Sequence, residues 1–198
     1  MTTRRLIFLV VFLLLIAAAL GVYGWHLKSR ADELARGADS RPVPVPVAGP
    51  TEPVTLVVAF DDDAALRRQT VSLPLPPDQQ SRALEIERAL LALYTARPSS
   101  HPLAETSQIL DVFLTPDGTA VINTNAAFAD AHRSGILGED LTTLSLVETL
   151  SANFSSVQRV KILVDGKERD TLAGHVDLKH FFEVARTHEA AQEFNAAH

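Results

Sequence analysis

The sequence predicts an α+β domain: two helices packed on an antiparallel or mixed β-sheet built largely from hairpins, preceded by one transmembrane helix. Three observations support this. Short β-branched runs are punctuated by Asp-Gly turns, two stretches of helical length with apolar spacing lie among them, and one end of the chain is apolar without a charge.

The apolar end comes first. Leu6 to Trp25 is 20 uncharged residues, about 30 Å long as a helix and therefore able to span a bilayer. Arg4 and Arg5 precede it, and Tyr23 and Trp25 stand where an aromatic belt meets the far interface. A cleaved signal peptide, with Ala17-Ala18-Ala19 as its small-residue site, is the alternative. Lys28, Arg30, Arg36 and Arg41 outweigh the two leading arginines, so positive-inside counting leaves the topology open. The chain has no cysteine, hence no disulfide and no lipid-modified cysteine to serve as an anchor.

Residues 1–36 are thus expected to form the anchor and a juxtamembrane helix. Residues 37–53 hold five prolines in 17 positions, too many for a helix or a ladder, and suit an extended spacer. Residues 54–182 form the α+β domain, and residues 183–198 a C-terminal helix with weak apolar spacing at Val184, Ala191 and Phe194.

Within the domain, "VTLVVAF" from Val54 reads as a central strand, Asp61-Asp62-Asp63 as a turn, and Leu66 to Leu73 as the returning strand. Asp78 is placed to cap a helix ended by Arg97-Pro98. Ala83, Ile86, Leu90, Leu93 and Tyr94 fall on one side of that helix. "ILDVFL" and "TAVIN" form a hairpin around Asp117-Gly118. "EDLTTLSLVETLSANF" is the second helix, with acids in its first turn to complement the dipole. Leu144, Val147, Leu150 and Phe154 are expected inward, and Ser145, Thr149 and Asn153 outward. "RVKILV", the turn Asp165-Gly166 and "TLAGHVDL" complete the last hairpin.

Composition excludes some functions. Residues 54–198 carry 12 Lys+Arg against 20 Asp+Glu, a net of −8, so there is no basic footprint for nucleic acid. The three aspartates lack the alternation and glycine of a calcium loop, and the seven histidines include no H-E-x-x-H pair. No metal, cofactor or catalytic residue is assigned.

Three residues are candidate ligand contacts. Glu148 projects between Leu141 and Leu144, toward the buried side of the second helix. His175 and Asp177 alternate away from the row Leu172, Gly174, Val176, Leu178. A hydrolase reading would combine His175 and Asp177 with Ser99 or Ser100, but no nucleophile-elbow sequence accompanies them.

"EDLTTLSLVETLSANFSSVQRVKILVDG" followed by "LAGHVDL" resembles the GerMN domain family, most closely over Gly135 to Phe182. Asn123-Thr124-Asn125 departs from the Asp-containing run expected after the middle strand. The resemblance implies a non-enzymatic α+β module of the cell envelope, held by a membrane or lipid anchor on the extracytoplasmic side. Its expected partners are an envelope protein or peptidoglycan. A self-assembling scaffold, in which strand edges of a homo-oligomer pair between copies, is the alternative.

Overall fold

A computed structural model describes residues 50–196. The segments expected to form the membrane anchor and most of the spacer lie outside the described residues. Among the described residues no helix is long and apolar enough to cross a membrane.

Strand β1 (Thr51–Phe60) pairs antiparallel with β2 (Ala65–Pro74), in register from Thr51↔Pro74 to Phe60↔Ala65. It begins three residues before the predicted strand, and Pro53 is tolerated within it opposite Ser72. The three aspartates form the expected turn, closed by the Ala64 N–H donating to the Asp61 carbonyl, with Ala64 at φ 46°. This hairpin is a separate two-stranded sheet. A single sheet was expected; the division arises because the outer edge of β1 meets side chains instead of a strand.

Helix α1 (Gln79–Thr95) starts as predicted, with the Asp78 carboxylate accepting the Ser81 N–H at 2.8 Å. Its buried stripe is Ala83, Ile86, Glu87, Leu90, Leu91 and Tyr94. Leu93, expected inward, is 40% exposed; Leu91 and Glu87 take the inner positions because the stripe is wider than a single i, i+3, i+4 row.

Strands β3 (Ile109–Leu114) and β4 (Thr119–Thr124) form the expected antiparallel hairpin. Gly118 in its turn has φ 81°, and a Cβ there would lie 2.8 Å from the Ser156 carbonyl oxygen. A short helix α2 (Ala126–Asp130), capped by Asn125, leads to α3 (Ile136–Asn153). Strand β5 (Arg159–Val164) then pairs parallel with β4, and the two-residue β6 (Phe182–Glu183) pairs antiparallel with β5. The order β3-β4-β5-β6 makes a mixed sheet. Helix α4 (Val184–Ala196) closes the described chain.

Helix α3 is the centre of the domain. Leu141 through Leu150 are all buried, so the expected outward face, Ser145 and Thr149, is inside, and only Asn153 is partly exposed. The reason is the edge of β1. Thr149 Oγ1 accepts the Val57 N–H at 2.8 Å, Asn153 bonds both the N–H and the carbonyl of Thr55, and the Tyr94 hydroxyl accepts the Ala59 N–H at 2.9 Å. Polar residues on α3, with Tyr94 of α1, therefore take the place of a missing strand, satisfying backbone groups that would otherwise be buried without partners.

The last predicted hairpin stops early. Asp165 (φ 51°) and Gly166 (φ 71°) make the expected turn, and Val164 and Lys167 exchange both backbone hydrogen bonds. Residues 171–178 then form a loop instead of a strand, closed by a single Thr171–Asp177 bridge. Leu172 and Leu178 are fully buried, as the alternation anticipated. A carboxylate inside the loop accounts for its shape.

Candidate functional site

Three polar centres gather around α3. The first lies at its N-terminus, where the Glu139 carboxylate is fully buried. Its Oε2 accepts N–H bonds from Ala173, His175 and Val176 at 2.9 to 3.0 Å, and its Oε1 pairs with His175 Nδ1 at 2.9 Å. Gly174, at φ 125°, lets the chain turn three amides toward one oxygen. Burial pushes the Glu139 carboxyl up, but the Val176 N–H, the His175 imidazole and the Ala173 and His175 N–H groups outweigh it and hold the group at about 2. All of its acceptor capacity is spent within the fold.

This centre separates two of the predicted contacts. His175 faces Glu139, whereas Asp177 accepts the Lys179 N–H at 2.7 Å and pairs with His180 Nδ1 at 2.8 Å. The Lys179 N–H and the His180 imidazole pull the Asp177 carboxyl below its usual range. His175 and Asp177 do not form a pair. Ser99 and Ser100 are also occupied, their hydroxyls donating to the Leu93 and Ala59 carbonyls.

A second centre was not anticipated. His101 is buried and bridges Asp61, through Nδ1, to Thr142, through Nε2 at 2.6 Å; His132 Nε2 reaches the same Thr142 hydroxyl at 2.8 Å. Burial pushes the His132 imidazole down. Acid, imidazole and hydroxyl in series are the residue types of a nucleophile relay. Here the hydroxyl is fully buried on α3 and also donates to the Gly138 carbonyl at 2.9 Å. A reacting atom would need a position beside that oxygen, and Thr142 presents no surface to solvent. The series ties the β1–β2 turn, the loop after α1 and the start of α3 together.

The third centre contains Glu148, and it opens on a groove. Its side chain is 3% exposed, buried as its helical projection indicated. Its contacts are side chains from two other elements. Oε2 lies 3.1 Å from His188 Nδ1 on α4 and 3.5 Å from the Arg68 guanidinium on β2. Oε1 has no hydrogen-bond partner. The groove, about 380 Å³, is walled by Val57, Leu66 and Ala191, with Gln192 and Asn195 at its rim. Asn195 anchors α4 by accepting the Leu66 N–H at 2.9 Å, and Gln192 lies 2.9 Å from His188 Nε2. The weak apolar spacing of residues 183–198 gave no sign that this helix supplies half of a polar groove. Among the described residues no cluster of three or more His, Asp or Glu side chains is arranged to hold a metal.

Residues 55–170 match the family model Germane, described as sporulation and spore germination. The chain belongs to this family. Among solved structures it is similar to the tandem GerMN domains of the sporulation protein GerM from Bacillus subtilis, with TM-score 0.52 and 20% identity over 67% of this chain and 46% of that one. It thus spans under half the length of that tandem structure, and the likeness shows the fold alone. The first GerMN domain of the same protein aligns over 66% of this chain and 95% of that one, with 19% identity and TM-score 0.43. No curated protein matches. The family segment ends before Leu172, so the loop around Glu139 and helix α4 lie outside it.

Proposed function

We propose that this chain is a non-enzymatic binding module of the cell envelope, anchored by its N-terminal segment, that engages a protein or peptidoglycan partner on the extracytoplasmic side. Membership of the Germane family supports the class. The observation that carries binding is the Glu148 groove, a concave site with a buried carboxylate, one oxygen of which the fold leaves without a donor. By contrast, Glu139, Asp177 and His101 are committed to internal partners.

Location is tested by adding protease to intact spheroplasts. Removal of the domain is expected, and its survival until membrane lysis would overturn the envelope assignment. The scaffold alternative draws on one observation, the exposed stretch Arg67 to Thr70 on the outer strand β2. Light scattering over a concentration series separates the readings: the binding module stays monomeric, whereas a scaffold grows in mass.

A further inference from the structure

Glu148 leaves a specific chemical demand unmet. A buried carboxylate oxygen without a donor is costly, and the cost disappears when a donor arrives. We propose that the groove beside it is a subsite for a primary ammonium group carried on an aliphatic stem, of the lysine side-chain type, presented by a partner peptide. The subsite rests on the binding-module reading only for the macromolecule that bears the amine.

Each part of the groove narrows the ligand. The buried negative charge excludes an anion. Oε2 is already engaged by His188, so one oxygen is left, which suits a compact ammonium better than a planar guanidinium needing both oxygens side by side. Val57, Leu66 and Ala191 offer an apolar wall for a methylene stem. The volume, about 380 Å³, is at the small end for ligand pockets and fits one side chain. Arg68 is the resident competitor. Its guanidinium stands 3.5 Å from Oε2, an ion pair without a hydrogen bond, and its side chain is 59% exposed. An incoming ammonium can displace it into solvent with little loss. Among His, Asp and Glu side chains a divalent cation would find only Glu148 and His188 in this groove, fewer than the three a resident ion commonly takes.

The test is methyl NMR on the full-length protein in mild detergent, following Leu66 and Ala191 during titration with Nα-acetyl-lysine N-methylamide. Parallel titrations use its Nε-acetylated form, the norleucine analogue, the arginine analogue and zinc chloride. Saturable shifts are expected with the lysine probe alone, weakened about tenfold by Glu148→Gln. Arg68→Gln should tighten the same binding by removing the competing cation. Because Arg68 is exposed, that variant keeps the test decisive should Glu148→Gln fail to fold. Equal shifts from the norleucine analogue, preference for zinc or the arginine probe, no saturable shift at tens of millimolar, or binding unchanged by Arg68→Gln would overturn the subsite. A positive titration combined with a protease-resistant domain in spheroplasts would retain the subsite and remove the envelope reading.

Discussion

Two buried glutamates show how similar side chains make opposite contributions to stability. Glu139 is met by donors and held at about 2, below its ordinary 4.5. Its contribution is present above about pH 4.5, and it is lost as pH falls toward 2. Glu139→Gln replaces one acceptor with an NH2 aimed at N–H donors, and should cost about 3 kcal/mol at pH 7, with a flatter acid limb in urea melts. His175→Ala removes one contact and leaves three amides in place, so about 1 kcal/mol is expected. Glu87 is the reverse case. It is fully buried with both oxygens unpartnered, and burial pushes its carboxyl well above 4.5. The unfolded chain therefore loses this proton first, and stability falls as pH rises from about 4.5 toward the raised folded value. Glu87→Met, close in volume, should stabilise the domain by about 1 to 3 kcal/mol at pH 8 and reduce that slope. A variant less stable than the parent at pH 8 would mean that Glu87 has a partner. The glycines give a third comparison. Gly118 combines φ 81° with a 2.8 Å approach to Ser156 O, whereas Gly166 has φ 71° and open space. Substitution by alanine should cost about 2 kcal/mol or more at Gly118 and about 1 kcal/mol at Gly166, measured by urea midpoint.

At the scale of elements, legibility followed periodicity and turn spelling. Asp78 as a cap, the Asp117-Gly118 and Asp165-Gly166 turns and the strands from Val54 to Val164 could be read because each is a local signal. The inner face of α3 could not. Ser145 and Thr149 look like solvent residues in a 3.6-residue projection; Thr149 is buried because its hydroxyl accepts the Val57 N–H of the strand edge, and Ser145 is buried with its hydroxyl donating to the Thr142 carbonyl. The loop 171–178 misled for a related reason: its alternation is real, but Glu139, more than 30 positions earlier, captures the amides a strand would use. Of the candidate contacts, the buried position of Glu148 could be read from projection alone, while its neighbours Arg68 and His188 come from elements far away in sequence. The consequence for α4 is testable. Ending the chain after Glu183 removes His188 and Asn195, leaving Glu148 with only the Arg68 ion pair and the Leu66 N–H without its side-chain acceptor. This should lower the unfolding midpoint while the rest of the fold persists. A truncated chain of unchanged stability would show that α4 is not part of the domain's core.

For the molecule as a whole, two sheets are joined through one buried helix, and the three polar centres along that helix divide the labour. Glu139 at its start holds the loop 171–178, Thr142 in its second turn fastens the β1–β2 turn through His101, and Glu148 further on faces the groove under α4. The acidic balance of the domain, 12 Lys+Arg against 20 Asp+Glu over residues 54–198, favours approach of a cationic group at low salt. The proposed role of this chain is to hold a partner at the Glu148 groove. In-cell photocrosslinking from position Gln192, at the groove rim, tests it most directly, with Phe113 on the mixed sheet as the control position. A discrete adduct is expected from position 192 that disappears with Glu148→Gln and is absent from position 113. An adduct at 192 that survives Glu148→Gln, or adducts formed only from 113, would contradict it.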